Sequence, residues 1–248
     1  MTLILTERSS MGIVMAADSA VTTTNTRTGH IVARPNQAQK LHRIPYLNAG
    51  ISCWGVGSIS GTPTDQWLSN FIDAHQNINN LGAFARELAR QLNTELTPRA
   101  GGSLGLHLAG YEMFNNNPTP SFYHIHDGRS EELQGRGITV DPNVFNANHD
   151  WPPELFDSNL IYITRNGDYQ LYAQIFGMLG QLFQSLLNEG ISVPHSQNLD
   201  DRAEYLVFQI RTISEIYRLS NLIPGIGGGI CYLTINPQGI RSFGIKYF

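Results

Sequence analysis

Short apolar runs alternate along this chain with longer amphipathic stripes, and their order predicts its elements. The runs at 2–7 (TLILTE) and 12–18 (GIVMAAD) flank Arg8-Ser9-Ser10-Met11. They are nearly continuous rather than alternating, which predicts a hairpin covered on both faces. Residues 19–39 are rich in Thr, Asn, Gly and Pro and predict a loop rather than a packed element. Strand character resumes at Lys40–Ile44 and Asn48–Trp54, a second hairpin turning near Pro45. Thr62 or Thr64 is placed to cap a helix carrying Trp67, Phe71 and Ile72, and Leu81–Leu96 puts Phe84, Leu88 and Leu92 on one stripe. Strands follow at 103–111, 121–127 and around Ile138. The Pro- and Asn-rich stretch 141–157 then reads as an irregular insertion before Leu160–Ile163. A second helix pair is expected at 171–188 and 199–219. Strands at 230–235 and 240–248 close the chain across Asn236-Pro237-Gln238-Gly239.

Each helix pair must bury its stripe against a sheet, so the order strands, two helices, strands, two helices, strands predicts an α+β fold, a four-layer α/β/β/α sandwich. The chain has 248 residues and 41% apolar composition, and it lacks a linker. It therefore reads as a single domain over 1–248, with insertions near 19–39 and 141–157. A net charge of -4 with only 16 Lys and Arg argues against a nucleic-acid partner. Cys53 and Cys231 both lie in apolar segments, which fits reduced, buried thiols and a cytoplasmic location. No signal sequence or membrane-spanning run is recognisable, so no membrane association is expected.

Thr2 changes this picture from fold to chemistry. Once Met1 is removed, a hydroxyl nucleophile and a base share one residue, because a free α-amine titrates near neutrality, at about 7.7 to 8.0. Met1 removal is expected because Thr is a small second residue. Ala16-Ala17-Asp18-Ser19 places Asp18 sixteen residues after Thr2. Lys40-Leu41-His42-Arg43-Ile44 heads a strand ahead of the small-residue run Ala49–Gly57, and Gly227-Gly228-Gly229 leads into Ile230–Thr234.

With these motifs the chain resembles, over nearly its whole length, the proteasome β-subunit family of N-terminal nucleophile hydrolases, including its bacterial ring-forming members. The resemblance implies a threonine peptidase acting through an acyl-enzyme on Thr2. Lys40 would tune the amine, Asp18 would fix Lys40, and Gly55 would serve the oxyanion. It also implies peptide or unfolded-protein substrates, a homo-oligomeric ring and a separate ATP-dependent unfoldase as partner, with no cofactor or metal.

The chemistry agrees with these residue types. A threonine hydroxyl needs a base within reach, a buried ammonium lowers the proton affinity of a neighbouring amine, and such an ammonium requires a carboxylate partner. Two departures stand out. The family's supporting Asp and Ser before the late glycines are replaced by Ile223-Pro224-Gly225-Ile226, and the turn before the third helix reads Thr164-Arg165-Asn166-Gly167-Asp168, where Asn166 or Asp168 is the available substitute. Two alternatives therefore stand beside the peptidase: an amidase or acyl transferase with the same nucleophile, and a non-catalytic scaffold subunit.

Other motifs carry less. His124 and His126 alternate on one strand face without further ligands at fixed spacing, so a metal site is not expected. The glycines 225 and 227–229 follow a helix and lead into a strand, the reverse of the order that aims N–H groups at a phosphate. The wide stripe Leu171, Ile175, Phe176, Leu179 and Leu182 is expected to cover the sheet, with part of it available to a neighbouring subunit.

Overall fold

The computed structural model describes residues 2–24, 31–34, 38–96, 103–127, 144–192, 196–220 and 225–248. Met1, whose removal is expected from the sequence, lies outside the described residues, as do Ile138 and residues 221–224.

The opening runs form β1 (Leu3–Ser9) and β2 (Gly12–Asp18), paired antiparallel with Ile4 opposite Ala17. Next come a small hairpin, β3 (Val21–Thr24) with β4 (Ile31–Arg34), then β5 (Leu41–Ile44) and β6 (Ala49–Gly55) joined through a 3-10 turn at Pro45–Leu47. A short ladder of β7 (Ser58–Ile59) and β8 (Thr62–Pro63) leads into helices α1 (Thr64–Ala74) and α2 (Leu81–Glu95). The long hairpin β9 (Leu104–Phe114) and β10 (Asn117–His126) is followed by β11 (Asn146–Trp151) and β12 (Tyr162–Gly167). Helices α3 (Gln170–Asn188) and α4 (Leu199–Leu219) precede the last hairpin, β13 (Ile230–Asn236) and β14 (Gly239–Lys246).

The strands make two five-stranded sheets, ordered β12-β1-β2-β13-β14 and β11-β10-β9-β6-β5. Three apolar clusters separate four layers, as the alternation of side chains across a strand requires. Leu3, Leu5, Val14 and Ala16 point toward α4 residues such as Leu206, Ile210 and Ile213. Ile4, Ile13, Met15 and Ala17 point toward the other sheet, meeting Leu41, Ala109 and Phe122. On the far side Ile51, Leu106 and Leu108 pack under Leu68, Phe84 and Leu88 of α1 and α2. The predicted α/β/β/α sandwich is the fold observed.

Several local expectations are corrected. Part of the segment 19–39 pairs as β3 and β4, because Thr and Val suit a ladder whatever their polarity. Part of 141–157 is β11, added to the edge of β10 with Asn148 opposite His124. Thr164–Gly167, read as a turn, completes β12 against β1. Neither Thr62 nor Thr64 caps α1. Pro63 holds the cap position, and the Thr64 hydroxyl donates instead to the Val56 carbonyl at 2.7 Å. The α3 stripe covers the sheet only along its N-terminal half: Tyr172 is buried and Leu171, Ile175 and Phe176 pack on the core, but Leu182 is 53% exposed. An apolar strip with Met178 and Leu187 is left facing outward.

One charged pair ties α4 to the first strand. Glu7 is fully buried, and Arg202 grips it in fork geometry, Nε to Oε1 at 2.6 Å and a second bond from its terminal nitrogen to Oε2. Removing one partner strands a charge in the core. Arg202→Ala is expected to lower unfolding free energy by about 3 to 5 kcal/mol in urea denaturation.

Candidate active site

Thr2 sits just ahead of β1, and its carbonyl is gripped by the start of the turn into α3. The Asp168 amide donates to the Thr2 carbonyl at 2.7 Å. Gly167 permits this: its φ is 87°, and a Cβ there would stand 2.0 Å from the Thr2 carbonyl oxygen. The turn residues named as substitutes for amine support are engaged elsewhere through their side chains. The Asp168 carboxylate accepts from the Tyr217 hydroxyl on α4, and the Asn166 amide reaches His107 and His124.

Asp18, fully buried at the end of β2, accepts from three backbone amides: Leu3 at 3.1 Å, Ala20 at 3.1 Å and Gly227 at 3.2 Å. The Gly227 bond brings the late glycine run beside Asp18 before β13, and Gly228 turns the chain there with φ 75°. Ser19 returns a bond from its amide to the Gly227 carbonyl at 3.2 Å. Lys40, immediately before β5 and 6% exposed, points its ammonium into this corner. Its Nζ donates to Thr2 Oγ1 at 2.8 Å, to Asp18 Oδ1 and Oδ2 at 3.1 and 3.2 Å, and to the Ala20 carbonyl. Those partners account for all three donors of an ammonium. Lys40 thus joins Thr2 and Asp18, which are far apart in sequence, by direct contact with each.

A cavity of about 300 Å3 opens beside Thr2 and Lys40. Ala20 to Thr22, Cys53 to Gly57 and Pro63 to Asp65 line it. Gly55 lies in this wall with φ 107°, and a Cβ there would stand 2.0 Å from the Ser103 carbonyl oxygen. Cys53 is not a rival nucleophile. Burial pushes its thiol up to about 12; Lys40 pulls the other way, and Asp65 and Asp18 add to the rise.

Behind this corner, between the sheets, lies a polar cluster that the sequence only half revealed. His124 and His126 are buried, and His107 sits directly across the β9–β10 ladder from His124. The Asn166 amide nitrogen donates to His107 Nε2 at 3.3 Å and His124 Nε2 at 2.9 Å, and its carbonyl oxygen accepts from the Gly167 amide. The Asn148 amide nitrogen faces His126 Nε2 at 2.8 Å, and His107 Nδ1 lies 3.0 Å from the Thr6 hydroxyl. Among the described residues no three His, Cys, Asp or Glu side chains form a metal-binding group. The signal available in the sequence was the period of two at His124 and His126; their pairing with His107 required the register of β9 against β10.

The four layers, with Thr2 just ahead of the first strand and Lys40 and Asp18 beside it, make a proteasome-like fold. A solved structure of a mutant of Anbu from Hyphomicrobium sp. strain MC1 is similar to this chain, with a TM-score of 0.51 and 14% sequence identity over 100% of this chain and 87% of that one. At that identity the likeness is one of fold. No protein-family model and no curated protein matches the chain. No helix among the described residues is long and apolar enough to cross a membrane.

Burial holds His107 down at about 3 and His126 at about 4, so both are neutral in the fold and charge more readily once unfolded. A histidine depressed in the fold contributes stability that is fully present above its unfolded value near 6.5 and is lost as pH falls toward the folded value. The melting temperature is therefore expected to fall steadily between pH 6.5 and pH 4. His107→Gln is expected to flatten that slope in a thermal-melt series across pH.

Proposed function

We propose that this chain is a proteasome-like threonine peptidase that hydrolyses peptide bonds through an acyl-enzyme on Thr2, after Met1 is removed. The observation that carries this reading is the Lys40 ammonium, in hydrogen-bond contact with the Thr2 hydroxyl oxygen and both Asp18 oxygens at once. Because Lys40 donates to Oγ1, it favours the developing alkoxide but, while charged, cannot take its proton. Asp18, occupied by three amides and Lys40, is an orienter rather than a base. The α-amine of Thr2 is the base left within the same residue.

In the proposed cycle the amine accepts the hydroxyl proton as Oγ1 attacks the carbonyl carbon. The negative charge then gathers on the carbonyl oxygen, toward the backbone N–H of Gly55. Collapse breaks the C–N bond, the α-ammonium returns its proton to the leaving amine, and an ester on Thr2 remains. Water, deprotonated by the same amine, hydrolyses the ester and restores Thr2.

The outward apolar strip on α3 supports assembly with further copies of the chain, in keeping with a homo-oligomeric ring.

The test is intact mass after treatment with a peptide epoxyketone. A protein lacking Met1 is expected to take one adduct, and Thr2→Ala none. Lys40→Ala is expected to reduce kcat/KM on a peptide substrate by about 100-fold or more, the scale of a lost preorganised donor. A retained Met1, or a processed chain that takes no adduct, would favour the scaffold reading.

A further inference from the structure

The cavity beside Thr2 carries an electrostatic asymmetry that the proposed chemistry does not use. Lys40 is neutralised within the corner by Asp18, in contact with both carboxylate oxygens. Asp65, in the first turn of α1, also lines the cavity. Its oxygens accept from two backbone amides, Gln39 at 3.2 Å and Gln66 at 2.9 Å. Those bonds hold the carboxylate in place without cancelling its formal charge. Its field reaches the buried Cys53 thiol in the cavity lining, together with those of Lys40 and Asp18. Apart from Asp65, Thr2 and Lys40, the other described lining residues are uncharged: some are apolar, such as Val21, Cys53, Val56 and Pro63, and Thr22, Trp54 and Thr64 carry neutral polar groups.

A pocket of about 300 Å3 with one acidic group in a lining that is otherwise uncharged beyond Lys40 suits a long aliphatic stem ending in a cation. An acidic side chain would meet repulsion there. A purely apolar side chain would bury the stem area without meeting the charge.

We propose that this cavity selects a lysine- or arginine-like side chain on the acyl side of the bond to be cut, and that Asp65 is the residue that selects it. The inference rests on the reading that Thr2 attacks a carbonyl, which sets which part of the substrate enters the cavity. Selection works through binding: the cation pairs with Asp65 while its methylenes cover Val21, Val56 and Cys53, which places the same residue's carbonyl at Thr2 Oγ1.

Equilibrium binding to the Thr2→Ala protein tests it without any turnover. Two peptides, acetyl-Ala-Ala-Lys-amide and its norleucine counterpart, are titrated by calorimetry at low salt. The lysine peptide is expected to bind about tenfold more tightly, with the difference shrinking as salt is raised. Asp65→Asn is expected to bring the two within about twofold, and Asp65→Glu, which keeps the charge, to retain the preference. Thermal melts confirm that each variant is folded.

Equal affinities for the two peptides, binding of neither, or a preference that survives Asp65→Asn would overturn the proposal. The epoxyketone adduct on the unsubstituted protein reports separately on the nucleophile. A lysine preference without an adduct would remove the hydrolase reading and leave the cation site standing, whereas an adduct without the preference would do the reverse.

Discussion

The structure turns on keeping one ammonium charged where almost no water reaches it. An isolated charge transferred to a protein interior costs several kcal/mol even after relaxation, so Lys40 can occupy its place only if every donor is met. Asp18, Ala20 and Thr2 meet them. This requirement extends outward. Asp18 is itself held by amides from the start of β1, the end of β2 and the glycine run before β13, so three separated stretches of chain converge on one carboxylate. The sheet order that puts β1, β2 and β13 side by side is what makes the convergence geometrically available.

The same economy governs the space between the sheets. One end is filled by Ile4, Met15, Leu41 and Leu233, as in an ordinary sandwich core. Toward the other end lie Thr6, Arg8, His107, His124 and Asn166. Arg8 stacks near Phe122, Trp151 and Tyr162, and burial lowers its guanidinium to about 10. A polar interior of this kind gives register where apolar packing alone tolerates slippage, since a shift by one residue would leave each imidazole without its partner. Asn166 joins this interior to the Thr2 corner: it bonds two imidazoles on one side, and the turn it begins holds the Thr2 carbonyl on the other.

The two helix layers are not equivalent. Helices α1 and α2 bury continuous stripes, whereas α3 buries Tyr172 and leaves the apolar residues of its C-terminal half facing outward. Helix α4 is anchored by the Glu7–Arg202 pair as well as by Leu206, Ile210 and Ile213. The layer that carries the last turns before the Thr2 corner is therefore also the layer with unused apolar surface.

What the sequence determined by itself is local and periodic. Hairpins, helix stripes and layer order follow from side-chain alternation, and the order of Thr2, Asp18 and Lys40 singled out three residues that the structure gathers around the Lys40 ammonium. Short-range polarity misread part of 19–39 and part of 141–157, where ladder pairing supplied by a partner strand outweighed loop-like composition. For α3 the stripe was expected to cover the sheet with part of it left available, and only the structure decides where the covering ends, because a stripe states which face is apolar and not what lies opposite. The meeting of His107 with His124, the reach of Gly227 to Asp18 and the presence of Asp65 at the cavity were decided only by the tertiary structure. Each depends on inter-strand register or on the approach of segments remote in sequence, and no window along the chain contains that information.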